Sequence, residues 1–587
     1  MGHIRKILLL VVLLFGLLPS NSRAAGFRAV LNTGAHAWAD YNNDGWSDMF
    51  GGTTIWRNNQ DGTFTRGRPF ADFAQTAHVS LADYNNDGFI DIYAYRGGEN
   101  GAGGPRLYTS RRGRGWVNAT AKFRNARVTP AWVHRATTWG DFNGDGYLDT
   151  YVSAWCEPWL GPPDDDMIYT SDKGKTFTHT WTSPTDYNGL GVSTVDFDRD
   201  GDLDIYVSNY WQTPNFLWRN TRFNGRTGLR DVAGTFGLDD GPGHTIGSAI
   251  ADFDNDGEFD IFICNFAHPG NPELRFMKNR GRRGGYRFEN RGKCGVQQLE
   301  PLGAATAADY DNDGYLDLFV TVVGGYGDEQ PQLYRNNGNW SFSNVTSTYG
   351  LGGLTRSHDG ASDKAAWGDY DNDGFLDLLA DHKLWKNPGR ENWHRNHYLK
   401  VKLEGGEGPA GLVNRSAIGA QVRIRVRNLG TITRQVSAST GKGMQNDLVL
   451  HFGLGRNGSP VDLDILWPGG FTQTVEGVAV DQLVTIGISP SFLRGDCNGD
   501  GSVGGNLNDA ILLLSWAFWG GKEPPCLAAC DMNGDGTASG SPVDAVLILT
   551  YAFRDSPSPP APFPDCGASD LETDRTLGCE TPPAACR

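Results

Sequence analysis

One pattern governs what this chain can fold into: Asp-x-(Asp/Asn)-x-Asp-Gly-x-x-Asp occurs seven times. Its copies open at Asp40, Asp83, Asp141, Asp196, Asp252, Asp309 and Asp369, with steps of 43, 58, 55, 56, 57 and 60 residues. Seven such matches at near-constant spacing are not chance. They mark a repeat architecture in which each unit buries its apolar face against the next. Apolar runs flank each loop, as Trp139-Gly140 before one and Ile205-Tyr-Val-Ser after another, which reads as strand, turn, strand. Hairpin signals follow, as in IWRNNQDGTF from Ile55 and LYRNNGNWSF from Leu333. A fourth strand comes next, as in Phe342-Ser-Asn-Val-Thr. Four strands per repeat predict a mainly β chain with a seven-bladed β-propeller over 25–395. The seventh repeat has Lys383-Leu-Trp-Lys but no clear fourth strand, and Phe27 to Leu31 is expected to supply it and lock the ring.

The loop chemistry is that of a hard cation. Alternate residues of a tight turn aim oxygens at one centre, and the Gly supplies the positive φ that lets the chain wrap an ion. No Cys or His stands in the pattern to recruit a softer metal. Ca²⁺ is the expected cofactor. The formal charge of −16 becomes −19 once Arg5, Lys6 and Arg23 of the leader are removed, and one calcium in each of these seven loops and in two later ones would bring it close to neutrality. The acidity is thus a ligand shell. It excludes a nucleic-acid binder driven by bulk charge.

These repeats resemble the FG-GAP/VCBS family, whose calcium-loop blades also occur in integrin α-chain heads, over about 27–395. The resemblance implies ligands at the first, third, fifth and ninth loop positions, with a carbonyl at the seventh. These are Asp40, Asn42, Asp44 and Asp48; Asp83, Asn85, Asp87 and Asp91; Asp141, Asn143, Asp145 and Asp149. The later loops offer Asp196, Asp198, Asp200 and Asp204; Asp252, Asp254, Asp256 and Asp260; Asp309, Asp311, Asp313 and Asp317; and Asp369, Asp371, Asp373 and Asp377. Asn replaces Asp at the third position of the first three loops, which lowers affinity but keeps an oxygen.

From about His397 the pattern changes to plain alternation, in Tyr398-Leu-Lys-Val-Lys-Leu, Ile418 to Val426, Leu448 to Gly455 and Val461 to Gly470. A compact β domain is expected over 396–490. NRSAIGAQVRI, LHFGLG and WPGG resemble the ASPIC/UnbV domain of cartilage-acidic-protein-like proteins, although the stretch before LHFGLG is altered to Ser439-Thr-Gly-Lys-Gly-Met-Gln-Asn446. His451 reads as a structural strand residue.

Over 494–555 two further loops, with Asp496, Asn498 and Asp500, and Asp531, Asn533 and Asp535, each lead into an apolar helix opening at Asp509 or Asp544. Each is half of an EF-hand. The tandem resembles a dockerin type I module, with Asp509 and Asp544 as implied final ligands. Both loops are about two residues longer than the family's spacing before that Asp. The resemblance implies a cohesin-like partner; a module that only adds stability fits equally well. A Pro/Cys-rich tail follows over 556–587. Cys497, Cys526, Cys530, Cys566, Cys579 and Cys586 suit disulfides of unreadable pairing. Cys264 and Cys294 are placed to pair within one blade, and Cys156 is left over.

Residues 1–24 read as a secretory signal peptide: Arg5 and Lys6, an apolar run from Ile7 to Leu18, then Ser22-Arg23-Ala24. No later segment is apolar enough to span a bilayer. The expected product is a secreted, non-enzymatic calcium-binding protein for adhesion or assembly, taking an extracellular protein or glycan ligand. The alternative is a polysaccharide-binding or polysaccharide-degrading component, suggested by the dockerin resemblance and by Trp155-Cys-Glu-Pro-Trp159 beside Asp164-Asp-Asp166. His36, His78, His134, His244 and His358 precede calcium loops and are expected at one mouth of the channel. No GxSxG, HExxH, P-loop or dinucleotide motif occurs.

Overall fold

The computed structural model describes residues 25–587 apart from 52–53, 68–77, 97–103, 125–132, 135, 157–164, 186–187, 222–227, 268–269, 325–328, 356–362, 489–491, 504–506, 539–541 and most of 555–587. The leader, His358 and most of the Trp155–Asp166 loop lie outside the described residues, as do the side chains of His78, His134 and Cys156.

The chain is mainly β, and each acidic loop is the first turn of its own antiparallel meander. The fifth repeat shows the rule: Thr245–Ala251, Asp260–Asn265, Arg275–Asn279 and Phe288–Gly292 pair in order. Every ninth loop residue opens a second strand and faces the last residue of the first, as Ala251 faces Asp260 and Gly368 faces Asp377. In the seventh sheet the fourth strand is Arg28–Asn32, paired with Lys383–Lys386 in the register Arg28 to Lys386 and Leu31 to Leu384. The expected closing strand is therefore present. The third sheet has a fifth strand, Phe123–Arg124, lying parallel to Phe177–Thr182.

The first strand of each sheet packs beside the first strand of the next, in chain order, and the seventh meets the first. Between those two, Trp38 and Met49 share a cluster with Ala366, Tyr370 and Leu379. Small residues make the inner approach close. A Cβ on Gly247 would sit 2.6 Å from the Ala304 Cβ of the neighbouring strand.

The following domain has two sheets. His397–Glu404 is central in one, between Leu450–Gly455 and the parallel strand Leu483–Gly487. The other runs Gly430–Gln435, Gln421–Val426, Val461–Leu466, Thr472–Val478. Apolar residues of this domain, Trp467 and Ile418 beside that sheet among them, join one core with Trp139, Phe142 and Leu203 of the repeats.

The stretch Ser439 to Asn446 enters the middle of the repeat array. Gln445 extends the first sheet: its carbonyl accepts from Trp38 N–H at 3.1 Å and its N–H donates to His36 O at 3.2 Å. Its side-chain amide makes both bonds with the Leu81 backbone, at 2.8 and 2.9 Å. Ser439 donates to Thr137 O. Gly441 O accepts from Val192 N–H at 2.9 Å. The Asn446 carboxamide oxygen accepts from Thr306 and from Trp367 N–H. Six of the seven innermost strands are bonded this way, and the remaining one is approached at Gly247, where a Cβ would lie 3.6 Å from Gly441 Cα. Gly441 holds φ +54°, a left-handed turn that glycine adopts without strain.

Beyond residue 494, the helices Asn508–Trp519 and Val543–Arg554 pack together over Leu513, Ala545 and Ile548. Disulfides join Cys497 to Cys530, Cys526 to Cys579 and Cys566 to Cys586. The expected Cys264–Cys294 bridge does not form: both are free thiols. Cys264 is buried on the second strand of its sheet and Cys294 follows the fourth. Two strand spacings, about 10 Å, exceed the ~7 Å that a disulfide can bridge.

Candidate metal centre

All seven loops share one local fold. The first Asp accepts backbone N–H bonds from the fifth and sixth residues, at 3.1 and 2.9 Å for Asp40 and at 3.1 and 2.8 Å for Asp309. The fifth Asp accepts from the seventh N–H, as Trp46 to Asp44 at 3.0 Å. The ninth accepts from the second N–H of its own loop and from the third strand, as Tyr310 and Asn336 to Asp317 at 3.3 and 2.8 Å. Gly at the sixth position takes φ between +82° and +98°. The turn is thus built by its own carboxylates before any ion is considered.

In the last four loops the first, third and ninth carboxylates converge. Ligand oxygens of Asp196, Asp198 and Asp204 lie within 4.8 Å of one another, as do those of Asp252, Asp254 and Asp260, of Asp309, Asp311 and Asp317, and of Asp369, Asp371 and Asp377. The fifth residues, Asp200, Asp256, Asp313 and Asp373, are not in these triads. Each spends an oxygen on the seventh N–H. Among the described residues the first three loops form no acidic triad, because their third residues are Asn42, Asn85 and Asn143, each donating to the fifth Asp.

Burial makes these carboxylates costly without a cation. Asp204 and Asp260 are 0 % exposed and Asp317 is 1 %. Burial, then neighbouring carboxylates, raises all three well above the usual range. Asp48 is pushed up to about 8, and Asp83, Asp196 and Asp311 to about 7, burial being the first cause in each. One oxygen of Asp198, a residue 7 % exposed, has no protein partner, and the same holds for one oxygen of Asp254 and of Asp371. An all-oxygen donor set with unused buried lone pairs fits Ca²⁺.

Protein cations share the work. Arg219, Lys278 and Arg335, each the next-to-last residue of a third strand, and Lys386, the last residue of the third strand in the seventh sheet, pair with the third Asp of their loop. Thr109 and Thr170 hold the equivalent places in the second and third sheets, whose loops carry one carboxylate fewer. The following domain adds Lys400, bonded to Asp369 at 2.7 Å, and Arg434, buried between Asp252 and Asp309. Lys400 thus already engages one expected ligand of the seventh loop.

Two asparagine series link the loops, and neither was identified from the sequence. The fourth loop residue donates to the sixth carbonyl of the next loop: Asn43 to Gly88, Asn86 to Gly146, Asn255 to Gly314, Asn312 to Gly374, and Asn372 to Gly45. The Asn that ends the third strand, or at Asn387 directly follows it, donates to the preceding loop: Asn58 to Tyr370 O, Asn220 to Phe142 O, Asn279 to Phe197 O, Asn336 to Phe253 O and Asn387 to Tyr310 O. Both series join the seventh loop to the first. The recurring Arg/Lys-Asn pair at the end of the third strand was the available signal.

The two late loops fold the same way. Asp496 accepts from Asp500 and Gly501 N–H, and Asp531 from Asp535 and Gly536. Asp509 and Asp544, each 1 % exposed, accept Asn498 and Met532 N–H at 3.0 and 2.9 Å. These helix-opening residues stand where the ninth Asp stands in the repeats, and burial pushes both to about 6. Asn498 and Asn533 donate to Asp500 and Asp535.

The suggested histidine cluster is not supported as a site by the described side chains. His36 and His244 are buried, and burial holds His36 well below its usual range. Asp166 is buried too, accepting from Tyr151 O–H and Ala154 N–H.

An FG-GAP-like repeat model matches residues 40–94, 141–207 and 309–380, and an ASPIC and UnbV model matches 411–491. The chain is 26% identical to cartilage acidic protein 1 of Xenopus tropicalis over 65% of its own length and 59% of that protein's. It is 26% identical to the Homo sapiens protein over 48% and 41%. The chain spans about half the length of the curated relatives it matches. Among solved structures, an exotype rhamnogalacturonan lyase covers 78% of the chain and 91% of its own at 12% identity, with a TM-score of 0.30.

Proposed function

We propose that this is a secreted, non-enzymatic calcium-binding protein whose repeats form a seven-bladed propeller over 25–395, plugged by the ASPIC/UnbV-like domain of 396–490. It serves as an extracellular binding or assembly module. The observation that carries the reading is the buried carboxylate triad, repeated in four successive loops with oxygen lone pairs left over. The cyclic order of sheet contacts and the Asn372-to-Gly45 bond support the ring. The three disulfides suit an oxidising compartment, and no described helix is long and apolar enough to cross a membrane.

When bound, calcium supplies positive charge at the centre of each loop. The chain's own part is to hold the first, third and ninth carboxylates in place through backbone N–H bonds and to exclude water from the ninth. Segment 494–555 is a dockerin-like calcium pair in this reading. Ile511, Phe518 and Trp519, the last 76 % exposed, give its first helix an apolar surface for a cohesin-like partner. Calorimetric titration of chelator-treated protein tests the reading. Several calcium equivalents and a large rise in melting temperature are expected, whereas no heat and an unchanged melting temperature would sink it.

A further inference from the structure

An open cleft of about 850 Å³ lies between the sixth calcium loop, the linker after Arg390–Trp393 and two turns of the second domain. Its floor is fixed by Gly455 N–H donating to Asn312 O at 2.9 Å and by the Asn396 side chain donating to Asp311 O at 2.8 Å. Four arginines line it: Arg335, Arg395, Arg427 and Arg456. Arg335 is committed to Asp311 and Asp313. Arg395, Arg427 and Arg456 are exposed, and none has a carboxylate partner among the described residues. Among the described residues, Asp313 is the only acidic one in the lining. In a chain of net charge −16, three unpaired guanidinium groups around one cavity form a local reversal of sign.

The remaining lining narrows the ligand. Trp393 is half-buried, held edge-on by Tyr310 and Tyr349, each at 5.4 Å, and stacked on Phe375 at 6.2 Å, so its ring is fixed in place. The exposed Asn428, at φ +86°, sits beside Arg427 at the tip of its turn. Guanidinium forks match carboxylate and sulfate oxygens, amides match hydroxyls, and a rigid indole covers an apolar sugar face. The volume falls within the ~300–1,000 Å³ of small-ligand sites.

We infer that this cleft binds an acidic saccharide chain, with Arg395, Arg427 and Arg456 taking its carboxylate or sulfate groups. The inference deepens the binding reading above, and its failure would leave the calcium titration untouched. Binding of the full chain to polygalacturonate, dextran sulfate and uncharged dextran is measured in millimolar calcium at fixed ionic strength. One or both polyanions are expected to bind, the stronger telling uronate from sulfate, and the uncharged polymer is not. The variant Arg395→Ser/Arg427→Ser/Arg456→Ser should bind on the order of 100-fold more weakly at an unchanged melting temperature. A control of equal charge, Arg111→Ser/Arg283→Ser/Arg287→Ser, should bind like the parent. In the unmutated protein, bound oligogalacturonate or sulfated oligosaccharide should shield the three cleft arginines from phenylglyoxal and leave Arg111 reactive. The proposal is overturned if neither polyanion binds, if the control loses as much as the cleft variant, if uncharged dextran binds equally, if single-stranded DNA binds more tightly than both, or if the three arginines stay reactive.

Discussion

Asp198 shows the trade built into a single loop residue. Its carboxylate is buried, faces Arg219 at 2.6 Å and leaves one oxygen without a partner. Burial, then Asp200, pushes it up to about 6. Asp198→Asn recreates the third position of the first three loops. Calcium titration should show that loop's affinity falling about tenfold, some 1.4 kcal/mol, while the melting temperature in chelator stays level or rises. His451 makes the opposite kind of case. It is buried, donates to Gly374 O at 3.1 Å, and burial depresses it to about 3 from an ordinary 6.5. A depressed pKa means that the unfolded chain takes up the proton first. The stability it allows is present above pH 6.5 and is lost as the pH falls toward 3, by up to about 1.4 kcal/mol per pH unit. Denaturant unfolding of His451→Gln against the parent should lose that part of the acid sensitivity. Parallel curves for the two proteins would remove His451 as the cause.

At the scale of elements, the Ser439–Asn446 stretch joins two domains through backbone groups. Gln445 satisfies both the N–H and the carbonyl of Leu81 inside the array. Gln445→Leu leaves both buried without partners and should cost about 2–6 kcal/mol at ~1–3 kcal/mol per orphaned group. Chemical denaturation reads the loss. If the two domains then melt in separate transitions, this stretch is what makes them cooperative. The strand Arg28–Asn32 poses a different test. It covers the exposed edge of Lys383–Lys386, and such edges pair with other chains when bare. Deletion of residues 25–32 should give concentration-dependent association by sedimentation; a stable monomer would show that the edge is covered otherwise.

Over the whole molecule, acidity and stability are one property. A calcium held in each loop at ten times its dissociation constant would contribute about 1.4 kcal/mol, so seven would contribute on the order of 10 kcal/mol. Without calcium, the buried carboxylates work against the fold as pH rises. Their folded-state values lie above the ordinary carboxylate range, so stability is fully present below about pH 4. It is lost as pH climbs through 6 to 8, the window set by Asp198, Asp196 and Asp48. In chelator, the melting temperature should fall between pH 5 and pH 8; in excess calcium it should not. Falling together in both would show that the loops do not hold the ion.

The sequence by itself determined the loops, the four-strand meander of each repeat, the strand from the N-terminal side that completes the seventh sheet, and the two apolar helices after Asp509 and Asp544. These are local matters: glycine φ, carboxylate-to-N–H turns and alternation act within a few residues and leave a periodic trace. The tertiary structure alone decided which carboxylates converge: in the last four loops the first, third and ninth meet, and the fifth is outside the triad. It decided the plug, since Gln445 meets Leu81 across more than 300 residues with no pattern to announce it. It also placed Arg395, Arg427 and Arg456 around one cleft. Charges scattered through polar turns look like ordinary solvated surface until two domains are folded against each other.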